Sequence, residues 1–567
     1  MRLERINNFI FNDKRGAILV VAVFAVASIF GVNQYRFGWS DHTITIPFLK
    51  SFLNPALYLG DYLLAQIPYY YTFLWFVLGI IIKYLGLGIH GVFFAVYILS
   101  VTASLAAIYL IAMELFAKRE TAYLSLFFVL FAGVSLSGAA AMDDMLITKM
   151  AVLPFLLFSI YFFLKGNYIV SYLLQGIGFL AHPLTAMYTL AMIFAASIVF
   201  VKQIGFKKLF LSFIVFALAA SPFFVWKFLY SPDSLHLFYA DPVWINLLRL
   251  RSSHHIFPFS WGLGVYLKTI LVIIVFLVGC KYKPRSDHQK TIWAFVAAIG
   301  AMVVAGVIFT EIFPLSIALN IQPARSFQFF IYLAAIYFAN YLLVESEYRS
   351  SPSDNLFLSF GSLAFFYDTR TWEVAYFSLA AFAAFASVFY FKPLIVRVFR
   401  LNSLTAVQNS VMFVLVLTVM LSASAYAAQD AFSISNAQGK EWLDVQKWAK
   451  NNTELNSLFI TPPEIEGFRV ESDRAIYGDW KDGTLMNFNP SFASEWMRRM
   501  QKLGYNMDEP IRESYNKLSN KDLIVIADEE TKNRRESIYI VRDTTAPELS
   551  FPIAFTNNRF VVYKMRP

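Results

Sequence analysis

Residues 14–42 read KRGAILVVAVFAVASIFGVNQYRFGWSDH. Two cations, Lys14 and Arg15, precede an unbroken apolar run over 17–32, and polar side chains return at Gly38-Trp39-Ser40-Asp41-His42. A helix needs about 20 apolar residues to cross the hydrocarbon core, and cations gather at its cytoplasmic end. The stretch has the outline of a signal peptide, yet no small-residue cleavage site follows and many more apolar runs do. It reads as an uncleaved first span that delivers Asp41 to the external side.

Bulk composition agrees. Of 567 residues, 58% are hydrophobic and only 15% charged; a soluble domain carries roughly 25% charged residues. The 59 phenylalanines suit lipid-facing helices and interfacial belts. The formal charge of +9 does not signal a nucleic-acid partner, because Lys and Arg sit in short loops between apolar runs. Cys280 is the single cysteine, which excludes an internal disulfide and a thiolate zinc cluster.

Apolar runs recur to residue 428, separated by basic turns at Lys118-Arg119, Lys165, Lys202 to Lys208, Lys281 to Lys290, Arg349, and Lys392 to Arg400. Placing every basic turn in the cytoplasm gives a consistent alternation only if 69–88 lies in the interface, with Lys83 reaching the headgroups. The result is a polytopic α-helical membrane protein of about 13 spans. Its external loops are 33–88, 135–148, 180–185, 230–262, 311–326 and 368–373. This alternation places the N-terminus in the cytoplasm.

After residue 428 the composition turns polar. Helical spacing over 442–451 and 490–503, and strand patterns over 457–461, 523–527 and 559–564, predict a small extracytoplasmic α/β domain. The chain thus divides into a membrane domain, 1–428, and a tail domain, 429–567.

Ionisable groups at span ends are costly there and mark candidate sites. Asp41 suits a general base or the start of a helix. Asp143-Asp144 opens a span as a metal site for Mg or Mn, or as a charge on a helix N-terminus. His182-Pro183 interrupts the fifth span, as a proline kink or as a pocket-lining donor. Arg325 begins the tenth span, where its guanidinium clamps a phosphate or reaches lipid headgroups. His42, Arg249, Arg251, His254, His255 and Trp261 bring cations and aromatics to the external loops, fitting an anionic headgroup and a sugar ring. Asp61, in Tyr58-Leu59-Gly60-Asp61, reads as a turn. No Walker loop, dinucleotide fingerprint, zincin motif or nucleophile elbow is present, so a nucleotide-bound donor is disfavoured.

The order of these features resembles the GT-C class of polyprenyl-phosphate-dependent glycosyltransferases. That class includes protein O-mannosyltransferases, aminoarabinose transferases and oligosaccharyltransferase catalytic subunits. Trp39-Ser40-Asp41-His42 stands at the class's early acid, 68–88 is similar to its juxtamembrane helix, and 108–120 resembles the span ending in a basic turn. Asp143-Asp144 and Ala181-His182-Pro183-Leu184 fall where members place an acid and a short polar motif. The resemblance covers roughly the first 208 residues in order; beyond them it rests on topology. The chain departs from the class by lacking a second acid beside Asp41 and a tryptophan-rich acceptor motif in the tail. It looks closer still to bacterial membrane proteins with a similar histidine-proline segment and tail.

The resemblance implies an enzyme whose donor is a polyprenyl-phosphate sugar and whose acceptor is a glycan, lipid or protein. Asp41 would deprotonate the acceptor, Arg325 and His182 would bind the donor phosphate, and a divalent cation would sit on Asp143 or Asp144. One displacement would invert the anomeric centre. A transporter or flippase of a lipid-linked solute, and a non-catalytic scaffold, are the alternatives.

Overall fold

The computed structural model describes residues 2–230, 238–281, 288–348, 364–365, 439–531 and 537–565. The expected spans beyond Tyr348, the 368–373 loop, and the cations Lys283, Arg285, Arg349, Lys392, Arg397 and Arg400 lie outside the described residues. Among those described, six helices are long and apolar enough to cross a membrane. They are Lys14–Val32, Ile89–Phe116, Phe206–Tyr230, Leu263–Lys281, Gln289–Ile312 and Ser316–Leu343. Shorter apolar helices accompany them at Leu74–Leu85, Thr148–Leu164, Tyr168–Ala181 and Pro183–Val199. The stretch expected to lie in the interface holds a helix of only 12 residues, Leu74–Leu85. At 1.5 Å per residue it is about 18 Å long, short of a hydrocarbon core of about 30 Å.

The chain packs as two compact units. The first comprises Met1–Tyr35, Phe94–Pro222 and Ser253–Ala431; the second gathers Arg36–Phe93, Phe223–Ser252 and Phe432–Pro567. Residues 36–88 and the tail therefore share one unit.

Small and polar residues hold the first unit's helices together. Gly178 lies so close to Leu156 that a Cβ there would approach it to 2.8 Å. Ser159 and Ser171 each donate to the other's carbonyl at 2.8 Å, Gln175 donates to the Ser159 hydroxyl at 3.0 Å, and Thr189 donates to Gln175 at 2.9 Å. In an apolar helical environment such polar pairs supply the cohesion that burial supplies in water. Glu114 takes Lys165 at 3.0 Å and His288 at 3.3 Å, while Arg119 donates to the Asp13 carbonyl at 2.6 Å. The segments around Asp13, Glu114 to Arg119, Lys165 and His288 thus come together in this unit.

The tail carries a five-stranded sheet in the order β2-β1-β3-β5-β4. The strands are β1 (Leu458–Ile460), β2 (Ala475–Ile476), β3 (Ile538–Asp543), β4 (Ile553–Thr556) and β5 (Phe560–Met565). β1 pairs parallel with β2 and β3, whereas β5 runs antiparallel to β3 and β4. The core joins Trp442, Val445 and Ala449 of the Lys440–Asn452 helix to Phe459, Phe468, Tyr539 and Phe560.

One expected strand is a helix. Residues 523–527 lie inside Asn520–Thr531, where Leu523, Ile526 and Ala527 are buried while Ile524 and Val525 are exposed. That is the i, i+3, i+4 spacing of one helical face, and Ser519 and Asp522 close its N-terminus as a capping box, through the Ser519 amide and hydroxyl to the Asp522 carboxylate. The apolar run alone hid this, because short apolar runs do not distinguish strand from helix.

Candidate functional site

In the second unit Asp41 stands at the turn into the His42–Leu53 helix. Its carbonyl takes the amides of Ile44 and Thr45, but its side chain makes no capping bond. The carboxylate instead receives Lys481 from the tail, Nζ to Oδ1, at 2.7 Å, with 37% of the Asp41 side chain exposed. Lys481 also reaches the Ser40 hydroxyl at 3.3 Å, and the Ser40 amide donates to Glu466 at 3.0 Å. Ser40 holds φ at +52°, rare for a residue with a side chain, so the turn that presents Asp41 is held in place by these tail contacts. Gly467 is needed opposite it: at φ +88°, a Cβ there would approach the Gly38 carbonyl to 3.1 Å.

His42 is fully buried, accepts the Gly38 amide on Nδ1 at 3.2 Å and packs between Phe37 and Phe93. It shapes the turn from below. Arg251 donates to the Trp480 carbonyl at 3.1 Å and to the Thr484 hydroxyl at 3.4 Å. Burial lowers its pKa, against the opposing pull of Glu466, Asp479, Asp41 and Asp482. Burial likewise pushes the Glu466 carboxyl up.

Beneath this surface lies a cluster that the sequence reading did not find. Arg469, buried, donates to Asp61 at 2.7 and 3.0 Å and to Asp482 at 2.8 and 3.0 Å, with Asp479 at 3.9 Å. Burial opposes the Arg469 charge, but the three carboxylates hold its pKa above the usual range. Asp61 also accepts the Ile476 amide, so the turn at Tyr58-Leu59-Gly60-Asp61 is real and its acid is spent on the tail. The available signal was the run Asp479-Trp480-Lys481-Asp482-Gly483, three charges packed among aromatic and glycine residues.

In the first unit a loop over residues 132–147 precedes the Thr148–Leu164 helix. The Asp143-Asp144 pair does not open that helix, which is capped by Ile147. Asp143 pairs with buried Lys149, the second residue of that helix, at 2.8 Å. Five side chains then each take one carbonyl of the loop: Lys268 at Ala132, His255 at Ser137, Lys149 at Ala140, Tyr332 at Ala141 and Tyr97 at Asp143. Their distances run from 2.5 to 2.9 Å. Burial, helped by Arg325 and His254, pushes the His255 pKa well down, so a neutral ring donates from Nδ1 to the Ser137 carbonyl.

His182 caps the Pro183–Val199 helix, its Nδ1 accepting the Thr185 amide at 3.1 Å. Arg325 lies in the 3₁₀ turn Pro323–Ser326 and donates to Gln322 at 3.0 Å. His254 stacks on His255 with ring centroids 3.9 Å apart. A cavity of about 210 Å³ opens beside them, with Ser135, His254, Ser260, Trp261 and Lys268 in its wall. Among the described residues no three His, Cys, Asp or Glu side chains gather into one cluster, and Asp143 faces the Lys149 ammonium.

In sequence, no curated protein matches the chain. Residues 440–503 match a family model described as a domain of unknown function (DUF6798), a stretch that holds Arg469, Asp479, Lys481 and Asp482. In fold the chain is similar to ArnT from Cupriavidus metallidurans bound to undecaprenyl phosphate, with a TM-score of 0.51 at 13% identity over 97% of both chains. The apo state of the same protein matches with a TM-score of 0.48 at 14% identity over 97% of both chains. The chain shares that protein's fold, a helical membrane portion followed by a small α/β tail.

Proposed function

We propose that this chain is a membrane glycosyltransferase that moves a sugar from a polyprenyl-phosphate carrier to an acceptor hydroxyl on the extracytoplasmic face. A fold hosts more than one chemistry, so the reading rests on the site as well as on the architecture. The observation that carries it is Asp41: a partly exposed carboxylate just past the first span, on a turn at φ +52° held by Lys481 and Glu466. The fold's likeness to a protein whose structure contains undecaprenyl phosphate supports the donor class.

In this reading Asp41 accepts the proton of the acceptor hydroxyl, whose oxygen attacks the anomeric carbon. The carbon–oxygen bond to the carrier phosphate breaks, and the phosphate leaves with the electron pair. A single displacement inverts the anomeric centre. Arg325 is assigned to the departing charge, since a guanidinium matches phosphate oxygens in two-pronged fashion. His182, whose Nδ1 is occupied in capping, orients the helix start beside that role. No step requires a divalent cation. Lys481 is the resting partner of Asp41 and exchanges for the acceptor hydroxyl when the acceptor binds.

Replacement of Asp41 by Asn keeps the shape and removes the base. Cells producing the variant at wild-type levels are expected to lose the corresponding glycoconjugate from their surface profile, a drop of roughly 10²- to 10⁴-fold in rate. An unchanged profile from a well-produced variant overturns the assignment.

A further inference from the structure

We infer that Glu466 is a positioning residue of the Asp41 site: it is the second seat of the Lys481 ammonium, which crosses to it from Asp41 when an acceptor hydroxyl takes the Asp41 carboxylate. This rests on the transferase reading above and adds to it the group that makes room for the acceptor.

The resting arrangement is compact. Lys481 Nζ donates to Asp41 Oδ1 at 2.7 Å and to the Ser40 hydroxyl at 3.3 Å, while the Ser40 amide donates to Glu466 Oε1 at 3.0 Å. One serine therefore lies between the ammonium and a second carboxylate. Only 14% of the Lys481 side chain is exposed. An ammonium displaced from Asp41 there meets little water and needs another anion, since leaving a desolvated charge unpaired is costly. Its flexible four-carbon stem lets it swing while the backbone stays in place.

The other nearby carboxylates are committed elsewhere. Asp61 and Asp482 pair with Arg469, and Asp479 stands 3.9 Å from the same guanidinium. Glu466 takes a backbone amide instead of that cation. The charged groups acting on it are Lys481, Asp41, Arg251 of the Pro242–Ile256 helix, and Asp479. Burial raises its pKa, and Lys481 is the strongest influence pulling it back down. Arrival of the ammonium thus favours an ionised Glu466, and acceptor entry is favoured as pH rises through the Glu466 titration.

The test uses the purified full chain, a polyprenyl-phosphate hexose as donor and an extract of the host's envelope glycoconjugates as acceptor. Glu466→Gln keeps a carbonyl for the Ser40 amide and loses the charge. It is expected to raise the half-saturating amount of extract about tenfold and leave kcat within about threefold, because Lys481 then stays on Asp41 and the open fraction falls. Glu466→Asp, which keeps the charge, should stay within about threefold of the unaltered chain on both counts. Adding Lys481→Met to Glu466→Gln removes the competitor and should restore half-saturation, a rescue that a merely structural Glu466 would not show. The unaltered chain should need less extract as pH rises, and Glu466→Gln should lose that dependence.

Thermal unfolding in detergent supplies a readout without turnover. Glu466→Gln should lower the midpoint about twice as far in an Asp41→Asn chain, where Lys481 has only Glu466, as in the unaltered one. Unmoved half-saturation in Glu466→Gln, no rescue by Lys481→Met, or equal midpoint shifts in the two backgrounds would each overturn the inference. Unequal shifts in a chain that transfers no sugar would count against the transferase reading alone, and turnover with equal shifts against the second seat alone.

Discussion

Each unit fixes one long loop, and the two do it with different forces. In the second unit the first loop is tied to the tail by charge: Arg469 on Asp61 and Asp482, Lys481 on Asp41, and Lys50 on Asp473. In the first unit the second loop is gripped chiefly through its backbone, with five side chains each on one carbonyl. A carbonyl cannot titrate, whereas a carboxylate does. The loop bearing the candidate base is therefore held by contacts that respond to pH, and the loop beside the cavity by contacts that mostly do not.

The sharpest way to break this contrast is Arg469→Ala. It leaves Asp61, Asp479 and Asp482 buried without their cation, and breaking a buried pair in this way costs about 3 to 5 kcal/mol. Limited proteolysis should then cut within 36–93 and 439–565 while sparing 132–148. Equal resistance of both units would mean that charge does not hold the first loop.

Lys149→Met is the counterpart in the first unit, and its expected cost is about 3 kcal/mol, because Asp143 is less buried than Asp61. Thermal unfolding in detergent should register it. Tyr332→Phe removes one carbonyl clamp and should cost about 1 to 2 kcal/mol, visible as faster hydrogen exchange at residues 141–143.

The smallest effect is the pH response. Burial alone would raise the Asp473 pKa, but Lys50 and Lys450 hold it below the ordinary aspartate value. Its contribution is thus present above the unfolded range of about 3.9 and lost as pH falls through the depressed folded value. Glu466 works the other way: burial raises its pKa, so its ionisation costs stability as pH rises above the ordinary glutamate range. Exchange at 36–93 should quicken on acidification past the Asp473 transition, and Asp473→Asn should flatten that response. Exchange at 132–148 should change little.

Much of this was legible in the sequence, for reasons that also explain the rest. The first span and the shortness of the Leu74–Leu85 helix follow from apolar run lengths and flanking cations, which act locally. Trp442 and Phe459 announce the tail's core through periodicity. The partners of Asp41 were not legible, because Lys481 is 440 residues away and only the fold joins them. Asp61 looked like a turn residue and is one; its burial against Arg469, 408 residues on, leaves no local trace. Asp143 stands before a helix as a cap would, and its pairing with Lys149 of that helix left no sign in the sequence.

The most direct measurement of the central claim is turnover by the purified full chain. It would be supplied with a polyprenyl-phosphate hexose and an extract of the host's envelope glycoconjugates as acceptor. The account predicts that the unaltered chain releases free polyprenyl phosphate and leaves the transferred sugar with inverted anomeric configuration. It also predicts that Asp41→Asn slows release by roughly 10²- to 10⁴-fold while the chain stays folded. Retained configuration, or release by Asp41→Asn at the unaltered rate, would contradict it.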